Sequence, residues 1–192
     1  MKPLLVMVSG PPAAGKTTMA RALGPRLGLP VLCRDDLKES LFDSLGWSDH
    51  AWSQQLGGAA FELVWLLLDR LLCAGVSVVV EANFLVRHRE TFLSIEERAP
   101  FIPFEVYCWA DAMTLRRRFA ARILAGERHA GHVDQVDAVF TDEWVRERHP
   151  PLRLGEHCLE VDTAREVVLD SLVAAIEAVR MTSCVGSCRE VT

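Results

Sequence analysis

The sequence is almost without lysine. Only Lys2, Lys16 and Lys38 occur, and every other cation is arginine, so a lysine set among small residues at position 16 is not generic surface charge. No apolar run approaches the roughly 18 to 20 residues that cross a bilayer. The short apolar stretch after Lys2 ends in a glycine loop, not in a small-residue cleavage site, so it is expected to be a core strand and the protein to be cytoplasmic. Positive charge is in deficit: the net charge is −5, which argues against a broad non-specific nucleic-acid surface while allowing a local basic funnel. There is no internal repeat, low-complexity tract or linker. The chain is therefore expected to be a single domain over residues 1–181, followed by a flexible tail at 182–192, and nothing in it specifies an oligomeric state.

Six cysteines occur. Cys33, Cys73, Cys108 and Cys158 fall in apolar runs, where a free thiol behaves as a small hydrophobe. Cys184 and Cys188 lie in the tail, and no second His or Cys pair has the spacing for a zinc site.

What the chain does have is alternation. Strands are expected at Leu4–Val8, Pro30–Cys33, Val76–Asn83, Phe104–Ala110 and Cys158–Asp162. Helices are expected at about Lys16–Leu27, Leu37–Leu45, His50–Cys73, Arg87–Glu97, Asp111–Ala125, Asp134–Glu147 and Ala164–Met181. Val76–Asn83 holds an unbroken β-branched apolar run at Val78–Val80, as a strand buried on both faces should. Five β-α repeats imply an α/β fold with a parallel sheet covered on both faces.

Between the first strand and first helix, Gly10 to Thr17 reads G-P-P-A-A-G-K-T, matching G-x-x-x-x-G-K-[ST] with strand before and helix after. Gly10 and Gly15 permit backbone turns that point successive N–H groups inward, and the positive end of the following helix adds to that field. The expected nucleotide-binding surface comprises Gly10, Pro11, Ala13, Ala14, Gly15, Lys16, Thr17 and Thr18. Lys16 reaches the β- and γ-phosphates, and the Thr17 hydroxyl ligates Mg²⁺. The N-K-x-D sequence that reads guanine does not occur, which favours ATP.

Three further segments, "RDDLKES" (Arg34–Ser40), "VVVEANF" (Val78–Phe84) and "LRRRFAAR…GERH" (Leu115–His129), follow in order. With the P-loop they make the chain, from Met1 to about Asp162, resemble the small P-loop kinases of the polynucleotide-kinase and zeta-toxin-like group. That resemblance implies a three-layer αβα sandwich with strand order 2-3-1-4-5 and a helical lid at about 115–134. It also implies that Asp35 takes the acceptor's proton and that Arg122, with Arg128 as alternate, neutralises the transferring phosphoryl group. Where that pattern carries a phosphate-contacting arginine, this chain has Lys38.

The residues carry their own chemistry. Asp35 and Asp36 follow the second strand, at the sheet edge where open α/β folds bind ligands. One can orient and deprotonate an alcohol, the other cap the next helix. Glu81 ends the strand beside the P-loop strand, where it either holds a magnesium-bound water, contacts the acceptor or is a solvated strand end. Asn83 lies on the same side. Arg118 and Arg122, four apart, share a helix face. Arg89, with Arg87 and His88, either meets an anionic acceptor or forms an ordinary helical turn. His129, His132 and Asp134 are expected to contact substrate or water, not a metal. Trp65 and Trp109 are expected in the core, and Trp47 and Trp52 either in the core or at the acceptor wall.

The function these features indicate is ATP- and Mg²⁺-dependent transfer of the γ-phosphoryl group to a hydroxyl of a small molecule, such as a metabolite, nucleoside or antibiotic. The cation-poor stretch Leu37–Gly58 favours a small acceptor over the alternative, a nucleic-acid 5′-hydroxyl end. A rival of another class is a nucleotide-binding switch or ATPase that transfers nothing, which would have no use for the carboxylates at the sheet edge.

Overall fold

The computed structural model describes residues 2–126, 128–133 and 140–185. Five parallel strands form one sheet in the order β2-β3-β1-β4-β5: β1 (Leu4–Ser9), β2 (Val31–Cys33), β3 (Val78–Glu81), β4 (Ile102–Trp109) and β5 (His157–Asp162). The helices are α1 (Lys16–Leu27), α2 (Arg34–Leu45), α3 (His50–Cys73), α4 (Arg89–Arg98), α5 (Ala112–Leu124), α6 (Asp142–Arg148) and α7 (Leu169–Val185). The three-layer sandwich expected from the sequence is thus present, with the expected strand order.

Alternation along β1 explains the two covered faces. Leu4, Val6 and Val8 pack with Met19, Leu23, Leu115 and Ile176, so α1, α5 and α7 cover one side. Leu5 and Met7 pack with Val64, Leu68, Phe92 and Ile95 from α3 and α4 on the other. Successive strand residues point to opposite faces, and in β1 both faces are apolar because both are buried.

On the second face β4 presents Glu105 and Tyr107 instead of apolar residues, because part of that face is covered by extended chain. A loop has no internal ladder, so its buried main-chain groups need partners. Glu105, 1% exposed, accepts from the main-chain N–H of Leu152 at 2.9 Å and of Arg153 at 2.7 Å, and from the Ser9 hydroxyl at 2.6 Å. The carbonyls of Leu152 and Arg153 in turn accept from Arg89 Nη1 at 2.6 and 2.8 Å, and Tyr107 donates to the His149 carbonyl.

Several boundaries differ from expectation. Helix α2 starts at Arg34, so the "RDD" residues form its first turn. The capping position is Cys33, and Asp36 instead pairs with Arg21 at 2.8 Å. Helix α6 starts at Asp142, capped by the Thr141 hydroxyl, and the expected helical stretch 134–139 lies outside the described residues. Helix α7 starts at Leu169, leaving 164–168 as a connection after β5, and runs on to Val185. The rest of the tail, including Cys188, and the Cys184 side chain lie outside the described residues. Cys33 and Cys108 are buried, Cys158 is partly so and Cys73 is exposed. Trp109 is not core: it ends β4 with 37% of its surface exposed. Trp47 is exposed as well, and Trp52 donates its indole N–H to the Gly46 carbonyl. No helix among the described residues is long and apolar enough to cross a membrane.

Candidate functional site

The P-loop lies where β1 leaves the sheet. Gly10 has φ +132°, and a Cβ there would fall 2.0 Å from the Cys108 carbonyl oxygen, so only glycine lets the chain cross β4 so closely. Gly15 is left-handed (φ 79°) at the cap of α1, and Ala13 is also left-handed at φ 62°. Lys16 is buried and folds back to donate to the Pro11 carbonyl at 2.7 Å. Burial pushes its pKa down, against the pull of the Glu81 and Asp35 carboxylates.

A cavity of about 630 Å³ opens over this turn. Ala13, Gly15, Lys16, Thr17 and Thr18 line it; Gly10, Pro11 and Ala14 shape the turn beneath. The facing wall brings together the expected acceptor residues Asp35, Lys38, Glu81 and Asn83, with Arg118, Arg122 and Arg128 closing the side. Residues from four separate chain segments therefore meet at the carboxyl edge of the sheet. Arg89 does not join them: it holds the 152–153 loop, a correction to its expected acceptor contact.

Glu81 is not a solvated strand end. It is 4% exposed and accepts from the Thr17 hydroxyl at 3.0 Å. Burial pushes its pKa up, while Lys16 and the Thr17 hydroxyl pull it down. A hydroxyl and one carboxylate 3.0 Å apart are hard oxygen donors, fitting an ion such as Mg²⁺ that takes one or two protein ligands and fills its shell with water and phosphate oxygens. Among the described residues no cluster of three His, Cys, Asp or Glu side chains could hold a metal. His132 pairs with Glu39 at 2.9 Å and His129 stacks on Phe42; Asp134 lies outside the described residues.

Asp35 sits between two arginines. Its carboxylate accepts from Arg34 at 2.8 Å and from Arg128 at 2.6 Å. Burial alone would raise its pKa, but the two guanidinium groups together outweigh that and hold it well below the usual carboxylate range. It is ionised at neutral pH and weakly basic while both pairs stand.

The loop carrying Arg128 packs directly on α2 and α3. His132 accepts from the Ser53 hydroxyl through its carbonyl. A Cβ on Gly131 would lie 2.7 Å from Phe42 and 2.8 Å from Trp47. Burial and the charge of Arg128 hold the His132 imidazole low, against Asp35.

A second cavity, about 490 Å³ and more apolar, adjoins the P-loop at Ala13, Gly15 and Thr18. Its walls are Met19 and Ala22 of α1, Val167 and Leu169 after β5, and Arg118. Arg118 is fixed there by bonds to the Thr163 hydroxyl (2.9 Å) and carbonyl (2.6 Å). The sequence pattern hides this pocket, because residues 164–168 read as helix whereas α7 starts at Leu169. The signal available was the Asp-Thr step ending β5, whose Asp162 carboxylate accepts from the Ala164 N–H in a side-chain turn.

The family described as AAA domain (AAA_33) matches residues 5–143. The chain belongs to that family. A proposed kinase of Chloroflexus aurantiacus is 37% identical, with a TM-score of 0.86 over 93% of this chain and 98% of that one. Mycobacterium tuberculosis APS kinase, solved with AMPPNP and APS, is alike in fold: its TM-score is 0.59 at 21% identity, covering 94% of this chain and 98% of that one. Part of Mus musculus adenylate kinase 9 is 25% identical over 114 residues, 55% of this chain, and the chain spans only 6% of that protein's length. The architecture is that of the P-loop kinases.

Proposed function

We propose that this chain is a kinase that transfers the γ-phosphoryl group of ATP to a hydroxyl of a small-molecule acceptor. The observation that carries the reading is a single cavity in which the P-loop faces an ionised carboxylate, Asp35, held at the opposite wall. A site that only bound or hydrolysed nucleotide would have no need of an acceptor-facing carboxylate between two arginines.

In this reading the triphosphate lies along the main-chain N–H groups of the P-loop, with Lys16 against its β- and γ-oxygens. The base occupies the second cavity, its face against the Arg118 guanidinium and its edge against Met19 and Val167, a stacking contact suited to arginine. Thr17 and Glu81 are the groups to hold Mg²⁺, which would neutralise charge on the β- and γ-phosphates. Asp35 orients the acceptor hydroxyl and accepts its proton as the oxygen attacks. Arg128 and Arg122, on the helix and loop that act as the lid, stabilise the charge of the transferring group. Arg128 has a double use here. Moving onto the γ-phosphoryl group takes it away from Asp35, and the carboxylate regains proton affinity when it is needed.

A cavity of about 630 Å³ lies in the size range of small-molecule sites, and the 128–133 loop closes over it onto α2, which supports a compact acceptor over a nucleic-acid end. Among the described residues, the free thiols at Cys33, Cys73, Cys108 and Cys158 suit a reducing cytoplasm. The test is ADP release by purified protein across a panel of hydroxy acids, sugars, nucleosides, aminoglycosides and 5′-hydroxyl oligonucleotides. Acceptor-dependent ADP formation with a small molecule is expected. ADP formed at the same rate with no acceptor contradicts the transferase reading in favour of an ATPase.

A further inference from the structure

The loop that closes on α2 carries two histidines, and three of their four ring nitrogens hold the loop in place. His129 accepts from the Gly131 N–H through Nδ1 at 3.0 Å and meets the Asp43 carboxylate through Nε2 at 3.3 Å. His132 bonds the Glu39 carboxylate through Nε2 at 2.9 Å. The fourth nitrogen, His132 Nδ1, has no hydrogen-bond partner among the described residues. His132 also lines the cavity, together with Asp35 and Arg128.

This ring is held in one pose. The side chain is 3% exposed and stands edge-on to Phe42 at 5.4 Å. Its N–H donates to the His129 carbonyl at 3.1 Å, and its carbonyl accepts from the Ser53 hydroxyl at 3.2 Å. Val133, the next residue, is left-handed at φ 49°, a conformation that β-branched residues rarely take. Such strain persists where the surroundings fix it, and it gathers at binding sites. A carboxylate accepts and does not donate, so in the neutral ring Nε2 carries the proton and Nδ1 offers a lone pair. Burial and the charge of Arg128 hold the imidazole below its ordinary pKa, which keeps that lone pair available at neutral pH.

We infer that His132 selects the acceptor: while the reacting hydroxyl meets Asp35, a second hydroxyl of the same molecule donates to His132 Nδ1. The acceptor is then a diol or polyol. This rests on the kinase reading above and narrows its small-molecule class. A neutral donor fits better than an ammonium, because Arg34, Lys38 and Arg128 line the same cavity. Glu39 acts through the ring as a positioning residue that fixes the tautomer.

The test uses the full chain with magnesium and ATP, and reads kcat/KM for ADP release. Acceptors are compared in pairs that differ by one hydroxyl: glycerol against 1,2-propanediol and 1,3-propanediol, ribose against 2-deoxyribose, glucose against 2-deoxyglucose, and gluconate against 2-deoxygluconate. In at least one pair, loss of the hydroxyl should lower kcat/KM about tenfold or more, since a site built to bond a hydroxyl rejects the analogue lacking it. Two variants separate acceptor reading from loop holding. His132→Asn sets an amide oxygen where Nδ1 stood and gives up Glu39, whereas His132→Gln reaches Glu39 and gives up Nδ1. The discrimination should stay within about threefold of wild type in His132→Asn and fall about tenfold in His132→Gln. Affinity for a non-hydrolysable ATP analogue, within about twofold of wild type in both, is the control for folding. A histidine that only holds the loop gives the reverse order, which overturns the inference. A nitrogen-15 NMR spectrum of the wild-type chain at neutral pH needs neither variant nor acceptor, and should show His132 Nε2 protonated and Nδ1 bare. The opposite tautomer overturns the inference, as does equal kcat/KM within every pair. Absence of acceptor-dependent ADP release across the whole panel defeats the kinase reading itself, and is distinguishable because it appears before any pair is compared.

Discussion

Replacing Asp35 by Asn separates its two uses. The amide keeps the size of the carboxylate and one acceptor oxygen, but it loses the charge that pairs with Arg34 and Arg128 and cannot take a proton from an alcohol. Proton transfer by a positioned group contributes about 10²- to 10⁴-fold, so kcat should fall by that factor, corresponding to about 3–5 kcal/mol of barrier. Stability should change far less. The Asp35 side chain is one-third exposed, so solvent screens both pairs and the loss is about 1 kcal/mol. Nucleotide affinity should stay within about threefold, because Lys16 and the main-chain N–H groups are untouched. The assay is steady-state ADP formation with the best acceptor, alongside thermal unfolding and equilibrium ATP binding. Since the arginines keep Asp35 ionised, wild-type activity should also show no acid limb from this residue between about pH 5 and 9. A variant retaining kcat within about threefold would refute the assignment of Asp35 as proton acceptor.

Three other outcomes follow from the packing. Gly131→Ala should push the 128–133 loop off Phe42, whose ring is fully buried; overpacking of this kind costs about 1–3 kcal/mol, read as a lower Tm and a raised acceptor KM. Glu105→Leu leaves the Ser9 hydroxyl and the N–H groups of Leu152 and Arg153 without their acceptor, at about 1–3 kcal/mol each, so the protein should be severely destabilised, and a Tm near wild type would contradict the role given to this carboxylate. His149 is 6% exposed, its Nδ1 is buried without a partner, and burial pushes its pKa down to about 4. Below its unfolded pKa of about 6.5 the unfolded chain binds the extra proton and the folded chain does not, so stability is lost as pH falls from about 6.5 towards 4. His149→Phe should flatten that limb of stability against pH.

What the sequence made legible follows from where its information is local. The P-loop is a contiguous stretch whose function lies in backbone turns, and Gly10 and Gly15 state those turns outright. The continuous apolar run of β1 and the β-branched run of β3 mark two central strands, and the order of the remaining motifs, read by resemblance, implies the sheet order. Asp35, Lys38, Glu81, Asn83, Arg118, Arg122 and Arg128 line one cavity, because successive strand ends and the segments that follow them converge at the carboxyl edge of a parallel sheet. Arg89 was misplaced for the opposite reason: its partners are two carbonyls more than 60 residues away, and no local pattern announces them. The same holds for Glu105, which reads as an interruption of a strand until the covering loop is seen. Residues 164–168 read as helix from the sequence, yet they form a turn and an irregular connection after β5 that brings Val167 into the wall of the second pocket. Arg34 was passed over because what positions it includes the Gly57 carbonyl, on another helix.

The central claim is that the turn from Gly10 to Thr17 grips a triphosphate. Calorimetric titration of ATP with magnesium into wild type and Lys16→Met tests it most directly. Wild type should bind, and Lys16→Met, which keeps the length of the side chain without its charge, should bind at least about tenfold more weakly while unfolding at a similar temperature. Equal affinity in the two proteins would contradict the account.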